Sequence, residues 1–363
     1  MHVLIAPQEF KGSLSAEEAA DAIARGFRRA RPEWTLDLLP MSDGGPGLLE
    51  AFRRAVRSDT VAAVVHDALG RRVLARYLTV RGETTVIVEA AQANGLMHLA
   101  PAERDALMAS SAGVGEIIAD AATLSPANII IGVGGSATTD GGAGMARALG
   151  ARFLNAEGRE LPPGGGALAQ LECIEWQPPA WLAEMTLVVA TDVTNPLLGA
   201  NGAARVFAPQ KGASENDVEL LESALTRYAG IVRRDLGAEI AAMPGAGAAG
   251  GLAGGLVAFL GARIGSGFDV VASASNLEAR LAAADLVVTG EGSFDSQSLQ
   301  GKVTGRMLGL AAEGAIPVVI FAGRSGSNAS NVHTLAARHG EAAMRDAGSL
   351  LTALAQSWAT DRE

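Results

Sequence analysis

Asn128-Ile129-Ile130-Ile131-Gly132-Val133-Gly134-Gly135-Ser136-Ala137-Thr138-Thr139-Asp140-Gly141-Gly142-Ala143-Gly144-Met145 passes from an unbroken apolar run into a glycine-rich turn and then into the helix-like stretch 145–149. A short β-branched run bounded by glycine reads as a strand buried on both faces, which belongs to a parallel sheet covered by helices. The same alternation begins at the N-terminus, with a strand over 2–6, a helix over 16–31, a strand over 34–39 and a helix over 47–57. Ser15 followed by Glu18 is a capping-box pair for the first helix. Further apolar strands are expected at 186–190, 285–289 and 317–322, with helices near 112–123, 215–235, 250–260, 303–312 and 341–358.

The stretch 61–90 differs. Three short alternating runs separated by turns suggest antiparallel strands and a second domain. No long linker separates the two patterns, so that domain is read as an insertion. The division is a Rossmann-like α/β domain over 1–60 plus 274–363 and a mixed α/β domain over 61–273 that carries the glycine-rich loops.

Composition bounds the function. The chain has 363 residues, 48% of them hydrophobic, which is enough for two cores. A net charge of -10 argues against nucleic acid or an anionic membrane as partner. Without an eighteen-residue apolar run or a leader-like start, a cytoplasmic enzyme is expected. Cys173 is the single cysteine and reads as an inert thiol. The five histidines are scattered, so no zinc centre is expected. There is no G-x-x-x-x-G-K-[ST], H-R-D or D-F-G motif, which excludes a P-loop or protein-kinase site.

Of 29 basic residues only Lys11, Lys211 and Lys302 are lysine, leaving 26 arginines, and each lysine stands beside a glycine. A compact ammonium at a glycine turn suits phosphate contact; the plain alternative is an exposed turn. Lys11 and Ser13 follow the first strand, where open sheets bind ligands. Asp43-Gly44-Gly45 follows the second. In the opening stretch, successive amides around Gly134, Gly135 and Ser136 could cradle phosphate oxygens, with Asp140 presenting a carboxylate. A G-x-G-x-x-A match at Gly132, Gly134 and Ala137 is a weak dinucleotide fingerprint, because residues 138–142 intervene before the helix. Asp192 and Asn195 follow the 186–190 strand, and Gly247 and Gly251 lie in a turn that admits either a nucleotide or a packed helix. After 285–289 come Glu291, Asp295, Gln297, Gly301 and Lys302. Carboxylates at strand ends with lysines at glycine turns meet the needs of phosphoryl transfer.

In this order these motifs resemble the type 1 glycerate kinases over most of the chain. The likeness rests on Phe10-Lys11-Gly12-Ser13, Asp43-Gly44-Gly45, Gly134-Gly135-Ser136-Ala137-Thr138, Asp140-Gly141-Gly142, Asp192-Val193-Thr194-Asn195-Pro196, Gln210-Lys211-Gly212, residues 245–251 and Gly290-Glu291-Gly292. The resemblance implies two α/β domains with the active site in the cleft between them. It also implies ATP with Mg²⁺, and transfer of the γ-phosphate to a hydroxyl of glycerate to give 2- or 3-phosphoglycerate. On that reading Lys11 and Lys211 neutralise phosphate or carboxylate, Asp192 and Glu291 hold the metal, and Lys11, Asp192 and Asp295 are the catalytic set. The chain departs from the family pattern at Gln8 and Glu9, where the family has Asp and Ser. It departs again at Pro46 for Glu, Thr139 for Asn, and Ser293 for Arg. Two alternatives stay open: a kinase for another hydroxy acid, or a non-catalytic homologue that binds a metabolite. The sequence does not set the oligomeric state.

Overall fold

The computed structural model describes residues 1–295, 298–299, 302–326, 329–336, 340 and 342–362. Gln297 and Gly301 lie outside the described residues. The chain divides into two compact units, one of Met1–Asp43, Gly47–Arg57 and Phe268–Glu363, the other of Gly44–Pro46 and Ser58–Gly267. The short Gly44–Pro46 turn thus groups with the second unit although the chain on both sides of it belongs to the first.

The first unit is built on a five-stranded parallel sheet in the order Val332–Thr334, Val318–Ser325, Leu286–Phe294, His2–Ile5, Thr35–Leu38. Its faces are sorted by the period of two along each strand. Val319 and Phe321 join the cluster with Val3, Ile5, Phe27 and Trp358, whereas Ile320 and Ala322 join Phe294 and Leu308. Helices Ala16–Ala30 and Ala347–Thr360 cover the first face. They approach closely at Gly26, where a Cβ would stand 2.4 Å from the Thr352 carbonyl oxygen, and the Thr352 hydroxyl donates to the Ala22 carbonyl at 3.0 Å. Helix Val303–Glu313 supplies Leu308 to the opposite face. The capping box is formed as expected, with Glu18 N–H donating to Ser15 Oγ and Ser15 N–H donating to Glu18 Oε2.

Two strands outrun their sequence expectation. The run expected to stop at 289 continues to Phe294, and its neighbour continues to Ser325. Glycine usually weakens a strand, which made Gly290-Glu291-Gly292 look like a loop. Here the glycines are what let the backbones meet: a Cβ on Gly290 would lie 2.0 Å from the Phe321 carbonyl oxygen, and one on Gly323 would lie 2.5 Å from the Gly292 carbonyl oxygen. The expected helix over 341–358 is a short helix Ala342–Arg345 followed, across Asp346, by Ala347–Thr360.

The second unit carries a six-stranded mixed sheet in the order Arg263–Gly265, Thr186–Ala190, Asn128–Gly132, Thr85–Glu89, Arg72–Val80, Ser58–His66. The first four strands of that order are parallel, and the hairpin Ser58–His66/Arg72–Val80 adds the antiparallel half expected from the 61–90 pattern. Ile129 and Ile131 of the opening stretch are fully buried at its centre.

Candidate active site

In the first unit, strand His2–Ile5 has Thr35–Leu38 on one side and Leu286–Phe294 on the other, so the chain leaves it in opposite directions. Such a switch point opens a crevice at the carboxyl ends of the strands. A cavity of about 670 Å³ lies there, lined by Gln8–Lys11 and Ser13 after the first strand, Asp43 after the second, and Glu291–Ser293, Asp295, Lys302, Gly323 and Arg324. Its size suits a small ligand. Six of the residues singled out from sequence, Lys11, Ser13, Asp43, Glu291, Asp295 and Lys302, therefore share one wall-to-wall site within this unit.

The turn that presents Lys11 is fixed by its own backbone. Phe10 N–H donates to the Leu14 carbonyl, Leu14 and Ser13 N–H both donate to the Phe10 carbonyl, and Gly12 takes φ 79°. The Ser13 hydroxyl is committed to the same carbonyl at 2.9 Å, leaving the exposed Lys11 side chain at the tip. Gln8, almost fully buried, donates through Nε2 to Asp43 Oδ2 at 2.7 Å and so fixes that carboxylate. Glu9 is held above its ordinary range by burial, partly offset by the Lys11 ammonium and reinforced by the Asp43 charge.

Glu291 is 6% exposed and its Oε1 is buried without a hydrogen-bond partner among the described residues. Burial raises its pKa; the Thr304 and Ser298 hydroxyls and the Lys302 ammonium pull it back, and Asp295 adds to the rise. The Thr304 hydroxyl is near enough to be felt, yet its geometry leaves Oγ1 as well as Glu291 Oε1 without a hydrogen-bond partner among the described residues. A buried acceptor left open costs about 1–3 kcal/mol, and functional sites are where such a cost persists. Asp295 closes an Asx-type turn, with Ser298 N–H donating to Oδ1 at 3.3 Å, and its side chain is exposed.

In the second unit, the other predicted residues hold one another. Gly134 N–H donates to the Gly44 carbonyl, Ala137 N–H to Asn94, Thr138 N–H to Ser136 Oγ and Gly141 N–H to Gly250. Of the amides around Gly134, Gly135 and Ser136 that the sequence offered to a phosphate, that of Gly134 has a protein acceptor, as do three further along the loop. Asp140 is fully buried and accepts from Ser111 N–H and Oγ, Gly142 N–H and Gly144 N–H, so its carboxylate ties the loop to the start of helix Ala143–Ala148. Lys211 is not the exposed turn residue that was its plain alternative in the sequence. It is 2% exposed, donates to the Thr138 carbonyl, and burial pushes its pKa down to about 7 against the attraction of Asp140.

The glycines of this unit are spacers between backbones. A Cβ on Gly44 would lie 2.1 Å from the Ala190 carbonyl oxygen, one on Gly247 2.1 Å from that of Pro196, and one on Gly251 2.8 Å from Gly141 Cα. Of the two readings of the 245–251 turn, close backbone packing is what these contacts show. Gly134 and Gly45 approach similarly, and Gly135 meets the Pro46 ring. Ser136 shares Oγ with Thr138 at 2.8 Å and receives Asn94 Nδ2. Asn195 Nδ2 donates to the Asn201 carbonyl, and Asp192 lies just past the end of the Thr186–Ala190 strand, half-buried. Among the five positions where the chain departs from the resembling family, Gln8, Glu9 and Ser293 line the first unit's cavity, whereas Thr139 is fully buried with no partner for Oγ1 among the described residues.

Sequence reasoning missed Arg324. Its signal was weak: one arginine among 26, in a strand expected to stop two residues earlier. Among the described residues no three His, Cys, Asp or Glu side chains gather as a metal site, and no helix is long and apolar enough to cross a membrane.

A profile described as "Glycerate kinase family" matches residues 3–360. The glycerate 2-kinase of Escherichia coli K12 is 44% identical over 335 residues, 92% of this chain and 88% of that protein. The glycerate kinase of Bacillus subtilis is 40% identical over 335 residues, 92% and 87% of the two chains. A crystal structure assigned to glycerate kinase 2 of Salmonella typhimurium LT2 superposes with a TM-score of 0.82 at 41% identity, covering 99% of this chain and 97% of that one.

Proposed function

The chain belongs to the glycerate kinase family of phosphotransferases acting on an alcohol group, and on that premise we propose that it transfers the γ-phosphate of ATP to glycerate, giving 2-phosphoglycerate. The choice of product is supported by the name of the 44% identical relative. The observation that carries the reading is the first unit's cavity, where Lys11 and Lys302 share a small volume with Glu291, whose buried Oε1 has no hydrogen-bond partner among the described residues.

The donor set fits Mg²⁺. A hard cation takes carboxylate oxygens, and in phosphoryl-transfer sites one or two of them suffice because substrate phosphates and water complete the shell. Glu291 would hold it from the first unit's cavity. When bound, the ion neutralises charge on the transferred group. The remaining work falls to side chains of the chain. Lys11, on its rigid turn, balances charge on the phosphoryl oxygens. Asp295, exposed at the cavity, accepts the proton of the attacking hydroxyl as the new P–O bond forms and the bond to the leaving ADP breaks.

The test is a coupled assay of ADP release with D-glycerate, L-glycerate and a panel of small hydroxy acids, with ³¹P NMR of the product. Turnover on D-glycerate with a phosphate resonance at the 2-position is expected. Turnover confined to another acid, or a 3-phosphate product, would replace the corresponding half of the proposal.

A further inference from the structure

Arg324 and Ser293 are register partners on the parallel strands Val318–Ser325 and Leu286–Phe294. Both line the cavity, and residues paired in this way point to the same side of a sheet. Arg324 Nε donates to Ser293 Oγ at 3.2 Å. The Nη donors have no protein partner among the described residues, and the side chain is exposed to the cavity mouth. The pairing explains why the strand must run on past residue 322: the bonds that continue to Phe294 and Ser325 are what hold Arg324 opposite Ser293. The other cationic liners, Lys11 and Lys302, are ammoniums, so Arg324 supplies the planar fork that matches a pair of anionic oxygens. The family pattern has its arginine at position 293, where this chain has serine.

We propose that Arg324 fixes the carboxylate of the small hydroxy acid in this cavity, with Ser293 as the positioning residue that aims its guanidinium. The cation that the family pattern carries at 293 is thereby delivered from the neighbouring strand. The inference rests on reading the first unit's cavity as the acceptor site. It makes Arg324 a specificity determinant: the fork engages through its Nη side, because Nε is already turned to Ser293. A lysine at this position would keep the charge but lose the two-point contact.

Steady-state kinetics on Arg324→Ala, Arg324→Lys and the exchange S293R/R324S test this, with melting temperatures recorded for each. Arg324→Ala is expected to raise KM for D-glycerate about 10- to 100-fold while KM for ATP and the melting temperature stay put. Arg324→Lys should recover little of this and the exchange most of it, a rescue that a merely structural role would not give. An unmoved KM for D-glycerate in folded Arg324→Ala would overturn the proposal, as would a rise confined to KM for ATP, which would make the guanidinium a phosphate ligand. Should the wild type fail to turn over D-glycerate, the functional reading falls separately, and calorimetric titration with D-glycerate and with inorganic phosphate decides the role of Arg324. Weaker D-glycerate binding by Arg324→Ala sustains it; equal binding, or a loss seen only with phosphate, overturns it.

Discussion

The two units use the same residue types for opposite purposes. In the first, Lys11, Glu291 and Asp295 line a cavity, and one buried carboxylate oxygen has no partner among the described residues. In the second, Lys211 and Asp140 are equally close to glycines but buried, the lysine donating to the Thr138 carbonyl and the aspartate accepting from Ser111, Gly142 and Gly144. A charged side chain beside a glycine turn is therefore not by itself a ligand-binding group. What separates the two cases is whether its hydrogen-bonding capacity has been spent inside the protein, and that depends on elements far away in sequence.

The comparison breaks most visibly if the buried groups are removed. Asp140→Ala strips the acceptor from buried N–H groups and from the Ser111 hydroxyl, so it should cost about 3–5 kcal/mol in denaturant unfolding. A loss of under about 1 kcal/mol would mean that the loop does not depend on this carboxylate. Lys211→Met sharpens the contrast through pH. The unfolded chain keeps this lysine protonated up to the ordinary lysine range, whereas the folded chain releases the proton from about pH 7. Between those limits the unfolded state binds more protons, so stability rises with pH. Lys211→Met should abolish that part of the rise in melting temperature between pH 7 and 10; an unchanged slope would contradict the burial argument.

The smallest effect is expected in the first unit. Burial raises the Glu9 pKa, so its contribution to stability is fully present below the ordinary glutamate range and is lost as pH rises through the higher folded value. Glu9→Gln should thus be slightly more stable than wild type at pH 7, by about 0.5 kcal/mol or less. The gain should vanish in acid, as differential scanning calorimetry at pH 4 and 7 would show.

The fold was largely legible because its signals are local. The apolar run at 128–132 and the short alternating strands over 61–90 carry their periods in sequence. So does the Ser15/Glu18 capping box. The site was legible only in part. Gly290-Glu291-Gly292 read as a loop because the reason for its glycines, the approach of the Phe321 and Gly323 backbones, lies on another strand. Lys211 read as a lysine at a glycine turn, in contact with phosphate or else exposed, because lysine is rarely buried; its acceptor is the Thr138 carbonyl, 73 residues away. Arg324 was invisible until strand register placed it opposite Ser293.

Steady-state ADP release from Mg·ATP and D-glycerate by Lys11→Ala is the most direct test of the claim that the first unit's cavity handles the phosphate. Lys11 is exposed on a turn held by its own backbone, so the variant should fold like wild type, while turnover should fall about 100-fold or more, as expected when a charge-stabilising group is lost. A Lys11→Ala enzyme that turns over D-glycerate at the wild-type rate would contradict the account.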